Sequence, residues 1–412
     1  LREAIADAIK LNPQTVSTEE LLESVRLSTL QTKASLLPSG QAFCSSGMSG
    51  SETDPRVGDN QRARSLSHAC GVSASVTIYD GGAGRARYRA AQASEAATRA
   101  AFNTADSLIP NTRGSLAYNT MQTFLSVSII RGEIEYRKSL LAVLNTFAKF
   151  STDANLMSVI SVEKNQLSDL IAGEETAVED FRFFVTLAPA KELETLDATI
   201  AAMKVPASAQ DAIDLALSTG PGVLRRNAEV EMATWNLKAL KAGLGPTVSL
   251  NASVARGAYD DRFDRNNGSK YRNTSIGITA SIPLNFGNRY GVQSAKKSLD
   301  AKKSEHQAAI QSARHSISTT YQKLQNAKSS YLSLSQAYKD QLAVIKGIVD
   351  KIESGNTSGL EIASMITAAN LLSGNYSRLI YKQEAIIQHL FSIQQVTGLL
   401  FENELPETPL RK

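Results

Sequence analysis

No run of apolar residues in this 412-residue sequence reaches the length of about 18 that a membrane-spanning helix requires, so no transmembrane helix is predicted. A membrane protein is not thereby excluded, because a transmembrane β-strand needs only about 10 alternating residues and scarcely registers in hydropathy. Charge is not concentrated either. The 44 basic and 40 acidic residues are mixed along the chain, and no basic patch indicates a nucleic-acid partner.

Patterns typical of catalysis or metal binding are also missing. The stretch DGGAGRAR from Asp80 lacks the GK[ST] ending of a phosphate-binding loop, and DRNNGSK from Asp264 fails the spacing of an EF-hand calcium loop. We interpret them as a strand-to-helix turn and a tight hairpin turn. Metal-ligand spacing is likewise absent among the four histidines, His68, His306, His315 and His389. The sequence therefore predicts neither an enzyme nor a cofactor or metal site.

Cysteine is scarce, and its two occurrences, Cys44 and Cys70, flank a polar segment rich in turn-forming residues. A disulfide that closes this loop fits an oxidising compartment better than two unrelated buried thiols do. The chain starts abruptly at Leu1, in a predicted helix. No export signal is visible, as expected if such a signal has already been removed.

Several stretches alternate between apolar and polar residues. In PTVSLNASVARG, which runs from Pro246 to Gly257, every second residue from Val248 to Val254 is apolar. A second run extends from Ile276 to Leu284, and a third from Val72 to Ile78. Because strand side chains point alternately to opposite faces, each stretch predicts a strand with one apolar and one polar face. The expected partner of the third run, near 37–44, alternates poorly.

The chain also repeats internally, and the repeat predicts its architecture. The segment from Ala4 matches that from Ala212, which superposes Pro13 on Pro221, and further landmarks follow in the same order. We predict a mixed α and β fold of two structural repeats, each with the order helix, strand, strand, long helix, helix. The first repeat is 1–207, with strands at about 35–46 and 71–80 and a helical hairpin at about 83–188. The second is 208–412, with strands at about 246–257 and 273–284 and a hairpin at about 288–400.

Long helices with apolar seams are predicted at the end of the second repeat. Apolar residues recur every three or four positions from Tyr331 to Ile352 and from Ile362 to Ile393, with Gln341 and Gln383 as gaps. Such seams indicate an antiparallel coiled-coil hairpin with its tip near Gly355–Gly359, and ordinary bundle helices are the alternative. Residues 288–353 contain no proline and would span about 95 Å as one helix. In the first repeat, Pro110 is expected to kink or break the equivalent helix.

Four strands are too few to close a barrel with a hydrated interior. An open sheet edge in lipid would leave backbone groups unpaired, at several kcal/mol each. A soluble sheet covered by its own helices is the alternative, but these helices have seams of their own and are far longer than such a sheet. We therefore expect other copies of the chain to complete the sheet, with the polar faces lining a lumen and the apolar faces meeting lipid.

These features together resemble the TolC family of outer-membrane efflux and secretion channels, over essentially the whole chain. The resemblance rests on the duplicated layout and on four motifs in order, which are LNP at Leu11–Pro13, LLP at Leu36–Pro38, YDGG at Tyr79–Gly82 and VTG at Val396–Gly398. It implies a homotrimer in the outer membrane of a Gram-negative bacterium. Its twelve-stranded transmembrane β-barrel would be continuous with a long α-helical coiled-coil tunnel across the periplasm.

The resemblance implies an exit duct of a tripartite export system, joined through a periplasmic adaptor protein to an inner-membrane transporter. We favour type I protein secretion with an ABC transporter, because YDGG after the strand and the lack of an acylatable cysteine at the start resemble that branch. The alternative is the outer-membrane component of a proton-driven multidrug or metal efflux pump. A coiled-coil structural protein without a channel is the alternative from a different class.

By the same resemblance, acidic residues just after the second-repeat tip ring the periplasmic entrance. The matching positions are Glu361 and Ser364, and the first-repeat position is Ser161, with Glu163 nearby. Three copies of Glu361 would concentrate negative charge and bind cations. A solvated glutamate at the hairpin end is the alternative interpretation.

The tips are also expected to dock the adaptor protein. The candidate residues are Asn155, Leu156 and Met157 in the first repeat and Gly355, Asn356, Thr357 and Ser358 in the second. The tyrosine and arginine that latch the closed tip in the best-known family member would fall at Ile352 and Thr357. Gating here must therefore rest on other contacts.

Overall fold

The computed structural model describes residues 1–52, 62–104, 112–149, 153–185, 193–261, 269–283, 287–354 and 359–401. Within these ranges the elements are, in chain order, α1 (Arg2–Leu11), α2 (Pro13–Ala34), β1 (Ser39–Glu52), β2 (Arg62–Tyr79), α3 (Ala83–Phe102), α4 (Arg113–Ala148), α5 (Ala154–Phe184), α6 (Leu196–Ala202), α7 (Ala209–Thr219), α8 (Pro221–Ala242), β3 (Thr247–Asp261), β4 (Ser269–Ser281), α9 (Gly287–Glu353) and α10 (Gly359–Thr397). A short 3-10 turn, Leu399–Phe401, follows α10. The helices in these ranges lack an apolar stretch that could cross a membrane.

Two prolines start equivalent helices. Pro13 is the first residue of α2 and Pro221 the first residue of α8, and both helices have 22 residues. Proline is favoured at this position because its fixed φ suits a helix and its missing N–H would have no intrahelical partner. The prolines that the sequence match superposes thus occupy the same structural position.

The long helices differ between the two halves of the chain. In the second half, the proline-free segment forms a single helix of 67 residues, α9. In the first half, α3 ends at Phe102 and α4 begins at Arg113, so the predicted interruption is confirmed, although Pro110 itself lies outside the described residues. The Thr112 side chain caps α4 by accepting a hydrogen bond from the Ser115 N–H at 3.0 Å.

The chain divides into two compact units that do not follow the predicted repeats. One unit comprises Leu1–Leu22, Ala97–Arg226 and His306–Lys412, and the other comprises Glu23–Ala96 and Asn227–Glu305. We call them the helical unit and the sheet unit. Each contains residues from both halves of the chain, so the division into repeats at 207 and 208 stays a proposal that rests on the sequence match.

The sheet unit carries one antiparallel sheet with the strand order β1-β2-β3-β4. Its strands are longer than predicted at their hairpin ends. The β1–β2 ladder runs from Ser39 paired with Ser75 to Glu52 paired with Arg62. Residues 47–52 and 62–69, which we took for part of a polar loop between the cysteines, are therefore strand. Backbone pairing extends through this serine- and glycine-rich sequence, where no apolar alternation marks it.

The helical unit is held together by apolar clusters between its helices. One cluster joins α1, α4 and α10 and includes Phe124 and Phe391, which are both about 99% buried. A second joins α7, α9 and α10 around Ile317 and Leu390. A third, described below, lies where α4, α9 and α10 meet the start of α5. Burial of such side chains stabilises a fold by roughly 1.5–3 kcal/mol each.

Candidate functional sites: the open sheet and the helical tips

One face of the sheet is apolar and exposed. Residues in direct register share a face, and Val72 pairs with Val254 as Leu250 pairs with Ile278. The side chains on this face are not covered by the sheet unit's own helices: Ile276 is 77% exposed, Ile278 70% and Val72 59%. Contiguous exposed apolar surface of this kind is typical of contact with lipid or with another protein.

The opposite face is polar and forms cross-strand hydrogen bonds. The hydroxyl oxygens of Ser253 and Ser275 are 2.7 Å apart, and the Asn251 amide donates to the Thr279 hydroxyl oxygen at 3.2 Å. Further polar positions on this face are Ser73, Ser75 and Thr77 of β2, which pair with Ser253, Asn251 and Ser249. Such side chains suit a surface in contact with water.

Both outer strands of the sheet are open. Among the described residues, β1 pairs with β2 alone and β4 pairs with β3 alone. Each outer strand therefore presents a row of backbone N–H and C=O groups without strand partners. Such edges pair readily with a further strand.

The two cysteines face each other across β1 and β2. Cys44 is in direct register with Cys70, their Cα atoms are 4.1 Å apart and their sulfur atoms are bonded. The disulfide joins two paired strands rather than the ends of an irregular loop. Every cysteine of the chain is accounted for by this bond.

The YDGG motif forms the turn from β2 into α3. Gly81 and Gly82 both have positive φ, of 65° and 85°, a conformation that glycine adopts without strain. The Asp80 carboxylate accepts hydrogen bonds from the backbone N–H groups of Gly82, at 2.9 Å, and Gly84, at 2.5 Å. Backbone geometry thus accounts for the motif, and the phosphate-loop interpretation has no role here.

Helix ends from both halves of the chain pack into one core, which we call the tip cluster. Its buried members include Phe147 at the end of α4, Leu156 at the start of α5, Ile345 near the end of α9 and Met365 near the start of α10. The start of α5 is fixed by Asp153, whose carboxylate accepts from the N–H groups of Asn155 and Leu156 at 2.7 and 3.3 Å. The structure thus brings the two predicted tip regions together within the helical unit.

The predicted first-repeat tip residues differ in exposure. Asn155 and Ser161 are exposed, and Met157 is 44% exposed. Leu156 is only 1% exposed and packs in the tip cluster. Its side chain is therefore part of the core of this subunit.

The predicted second-repeat tip residues are only partly described. Glu361 is the third residue of α10, and Ser364, one turn further on, is exposed. Gly355, Asn356, Thr357 and Ser358 lie outside the described residues, as does one of the two expected latch positions. The other latch position, Ile352, lies in the last turn of α9.

Glu163 has a partner that the sequence did not reveal. Its carboxylate is buried and forms an ion pair with the Arg137 guanidinium of α4, which also donates to the Gln166 side chain. A second ion pair, between Arg131 and Glu174 at 2.7 Å, joins the same two helices. Glu163 thus stabilises the α4–α5 hairpin and is unavailable to an entrance ring.

Three tyrosines in and around the tip cluster contact one another in a way that the sequence did not reveal. The rings of Tyr136 and Tyr376 stack at 4.1 Å with an interplanar angle of 14°, and Tyr338 lies 5.7 Å from Tyr376. Burial raises the pKa of all three, that of Tyr376 to about 12. They stay neutral at physiological pH and connect α4, α9 and α10. Tyrosine at seam positions was the available signal, but it did not show which helices meet.

No group of three or more histidine, cysteine, aspartate or glutamate residues in the described part of the chain could hold a metal ion. The polar residues instead line a face of the sheet or pair between helices.

Comparison with known proteins agrees with this geometry. Residues 212–398 match the model of the outer membrane efflux protein family. The outer membrane efflux protein BepC of Brucella suis biovar 1 (strain 1330) is 24% identical over 207 residues, which make up 50% of this chain and 44% of BepC. The aligned region therefore spans less than half the length of that relative.

Solved structures match over nearly the whole chain. CusC, in a structure that describes folding and transmembrane channel formation, matches with a TM-score of 0.75 at 16% identity, over 96% of this chain and 91% of that one. The open-state MtrE outer membrane channel of Neisseria gonorrhoeae matches with a TM-score of 0.74 at 16% identity, over 96% and 88%. At these identities the likeness shows the fold. These homologues are Gram-negative outer-membrane proteins, and the family consists of channels rather than enzymes. The second half of the chain is thus similar to the outer membrane efflux protein family, and the chain has the fold of the solved outer membrane channels CusC and MtrE.

Proposed function

We propose that this chain is one of three identical subunits of an outer-membrane exit duct. Three four-stranded sheets form a twelve-stranded transmembrane β-barrel, and the helices form a coiled-coil tunnel in the periplasm. The observation that carries the proposal is the open sheet, with its exposed apolar face, its polar opposite face and its unpaired outer strands.

The free energy of the isolated sheet favours this assembly. In hydrocarbon, each unpaired backbone group costs several kcal/mol, so an open edge cannot face lipid. Pairing β4 of one subunit with β1 of the next satisfies these groups. The closed sheet then has exposed isoleucine and valine side chains toward lipid and hydroxyl and amide side chains toward water. The number three is supported by the likeness to CusC and MtrE.

A duct of this kind needs partners that deliver the cargo. We propose that a periplasmic adaptor protein binds the tips and joins the duct to an inner-membrane ABC transporter or proton-driven pump. Asn155 and Met157 are exposed and are the first-repeat candidates for this contact, whereas buried Leu156 would support them from below. The second-repeat candidates are still Gly355, Asn356, Thr357 and Ser358.

For the cargo we propose small molecules rather than the secreted protein that the sequence suggested. The preference for type I secretion relied on the YDGG motif and on the lack of an acylatable cysteine at the start. The motif is explained by the turn that Asp80 and the two glycines form. The matching family and BepC are both described as outer membrane efflux proteins. Deletion of the chromosomal copy should make cells more sensitive to toxic small molecules. Loss of a secreted protein without any such sensitivity would instead favour type I secretion.

Channel recordings test the duct itself. In planar bilayers the purified protein should give cation-selective conductance, and Glu361→Gln should lower the preference for cations because three carboxylates leave the entrance. Glu175→Gln is the matched control, since Glu175 is an exposed carboxylate on α5 outside the tip cluster. Equal selectivity in all three proteins would reject the role of Glu361.

Failure of the wild type to form a channel would contradict the duct. A coiled-coil structural protein without a channel would behave in that way. It would also remain soluble when membranes are removed, whereas the duct should be found in the detergent-extracted outer membrane.

A further inference from the structure

Basic residues occupy two successive cross-strand rows on the apolar face of the sheet. In the first row, Arg256 of β3 is in direct register with Arg272 of β4, and in the next row Lys270 of β4 lies opposite Ala258. The second row continues into β2, where His68 pairs with Ala258, whereas the first row continues into the disulfide-bonded Cys70. All of these basic side chains are exposed.

On both β3 and β4 the side chains of this face change from apolar to basic at the same register position, the Arg256–Arg272 pair. On this face β3 carries Val248, Leu250, Ala252 and Val254 before Arg256, and β4 carries Ala280, Ile278, Ile276 and Thr274 before Arg272. Eight residues separate Val248 from Arg256, or about 27 Å along a strand. A strand tilt of about 40° reduces this to about 21 Å, close to the apolar band of about 25 Å on outer-membrane barrels. The arginines thus mark one edge of the apolar band.

The two basic rows contain no acidic residue of their own. Neither row contains an aspartate or glutamate in register, and Arg256, Lys270 and Arg272 form no ion pair with another described residue. Like charges directly opposite each other in a sheet are destabilising. A ligand with closely spaced negative charges would relieve this repulsion. Paired guanidinium groups suit phosphate because each can donate two parallel hydrogen bonds.

The position of the basic rows along the strands indicates which ligand binds them. The helices of the sheet unit join the strands at Ser39, Tyr79, Thr247 and Ser281, all at one end of the sheet. The basic rows lie toward the other end, where the strands turn back. Given the proposed function, on which this inference rests, the helices are periplasmic and the basic rows are at the outer leaflet.

We propose that Arg256, Arg272 and Lys270 bind the phosphorylated headgroup of an outer-leaflet lipid. The acyl chains of this lipid lie against the adjoining apolar face, beginning at Val254 and Ile276. The anionic headgroup thus faces the basic rows, and the acyl chains face the apolar band. The bound lipid stabilises the sheet by neutralising the Arg256–Arg272 pair.

The test uses the purified full-length protein in a non-ionic detergent. Fluorescent lipid A with two phosphates is titrated, and binding is followed by anisotropy. We expect the variant R256Q/R272Q to bind this lipid at least about tenfold more weakly, because charge-assisted hydrogen bonds are lost. The control K296Q/K297Q removes the same charge from exposed positions on α9 and should bind within about twofold of the wild type. R272K keeps the charge but loses the paired donors, so its affinity for the lipid should lie between those of the wild type and R256Q/R272Q.

Further probes separate the lipid from other anions. Dephosphorylated lipid A and inorganic phosphate should both bind weakly. Tight binding of inorganic phosphate alone, an unchanged affinity in R256Q/R272Q or an equal loss in K296Q/K297Q would each overturn the proposal.

Oligomeric mass and bilayer conductance are measured on the same preparations. A conducting trimer with negative lipid results would reject this inference alone. A wild type that is neither a trimer nor a channel would reject the proposed function.

Discussion

Two glutamines interrupt the apolar seams of α9 and α10, and each forms a hydrogen bond inside the helical unit. Gln341 accepts from the Asn375 amide at 2.9 Å. Gln383, which is 8% exposed, donates to the Asp197 carboxylate of α6 at 2.6 Å. The same carboxylate oxygen accepts from the Tyr331 hydroxyl at 3.0 Å. A polar group buried with its partner disfavours a shifted packing of the helices, because a shift would leave it unpaired.

Removal of the shared acceptor should destabilise the helical unit. We expect Asp197→Ala to lower the free energy of unfolding by about 1–3 kcal/mol, since Gln383 and Tyr331 both lose their acceptor. Asp197→Asn keeps a carbonyl oxygen at this place and should recover part of the loss. The measurement is the urea midpoint in detergent, followed by circular dichroism. The matched control is Asp214→Ala, which removes an aspartate that accepts from Gln210 at the surface and should change stability by less than about 0.5 kcal/mol. Equal effects of the two alanine variants would contradict this account.

Alkaline pH should destabilise the tyrosine stack. Burial raises the pKa of Tyr376 to about 12 in the folded protein, above its ordinary value of 10.0. The unfolded chain therefore loses this proton first, and stability falls as pH rises from 10 to 12. We expect Tyr376→Phe to reduce this fall, although it also removes the hydrogen bond that the hydroxyl donates to the Gly132 carbonyl at 2.9 Å. Thermal unfolding across this pH range is the readout. Tyr381→Phe, at a position that is 60% exposed, should leave the pH dependence unchanged.

At the residue scale, the sequence located the polar interruptions but not their partners. Gln341 and Gln383 were recognised as gaps because their own helices supply the period. The partners, Asn375 and Asp197, are distant in sequence, and only the packing of several helices brings them near. The same reason explains Glu163, whose charge suggested an entrance residue until its ion pair with Arg137 was seen.

Among the elements, the strands show what alternation can and cannot predict. The runs around Val248 and Val72 alternate because one of their faces is apolar, and both were correctly assigned to strands. The segments 47–52 and 62–69 are mostly small or polar on both faces, with Met48 opposite Leu66 as the exception. Their strand character therefore comes from backbone pairing that sequence periodicity does not record. The missing proline in 288–353 was a sufficient signal for the single long α9.

The two faces of β4 should respond oppositely to the same substitution. We expect Ile278→Lys to block insertion into the outer membrane, because a lysine near the middle of the apolar band costs about 2–4 kcal/mol in each subunit. The neighbouring change Thr279→Lys places the same charge on the polar face and should be tolerated. Both residues are exposed in the isolated subunit, so burial within the subunit does not distinguish them. Fractionation of outer membranes with detection by antibody is the measurement. Normal insertion of the Ile278→Lys variant would mean that this face does not meet lipid.

For the whole molecule, the sequence match and the compact units describe different things. The match relates the first half of the chain to the second, whereas each unit combines segments from both halves. Sequence similarity records which segments share a pattern. Spatial grouping depends on contacts between distant segments, such as the pairing of β2 with β3 that makes one sheet from two strand pairs. That pairing leaves β1 and β4 as the outer strands, which further copies of the chain complete in the proposed assembly.

Native mass spectrometry of the protein in mild detergent tests the central claim most directly. If identical subunits complete the open sheet, the dominant species should have three times the 44.3 kDa mass of one chain, with bound detergent or lipid removed on activation. A monomer as the dominant species under the same gentle conditions would contradict the shared barrel.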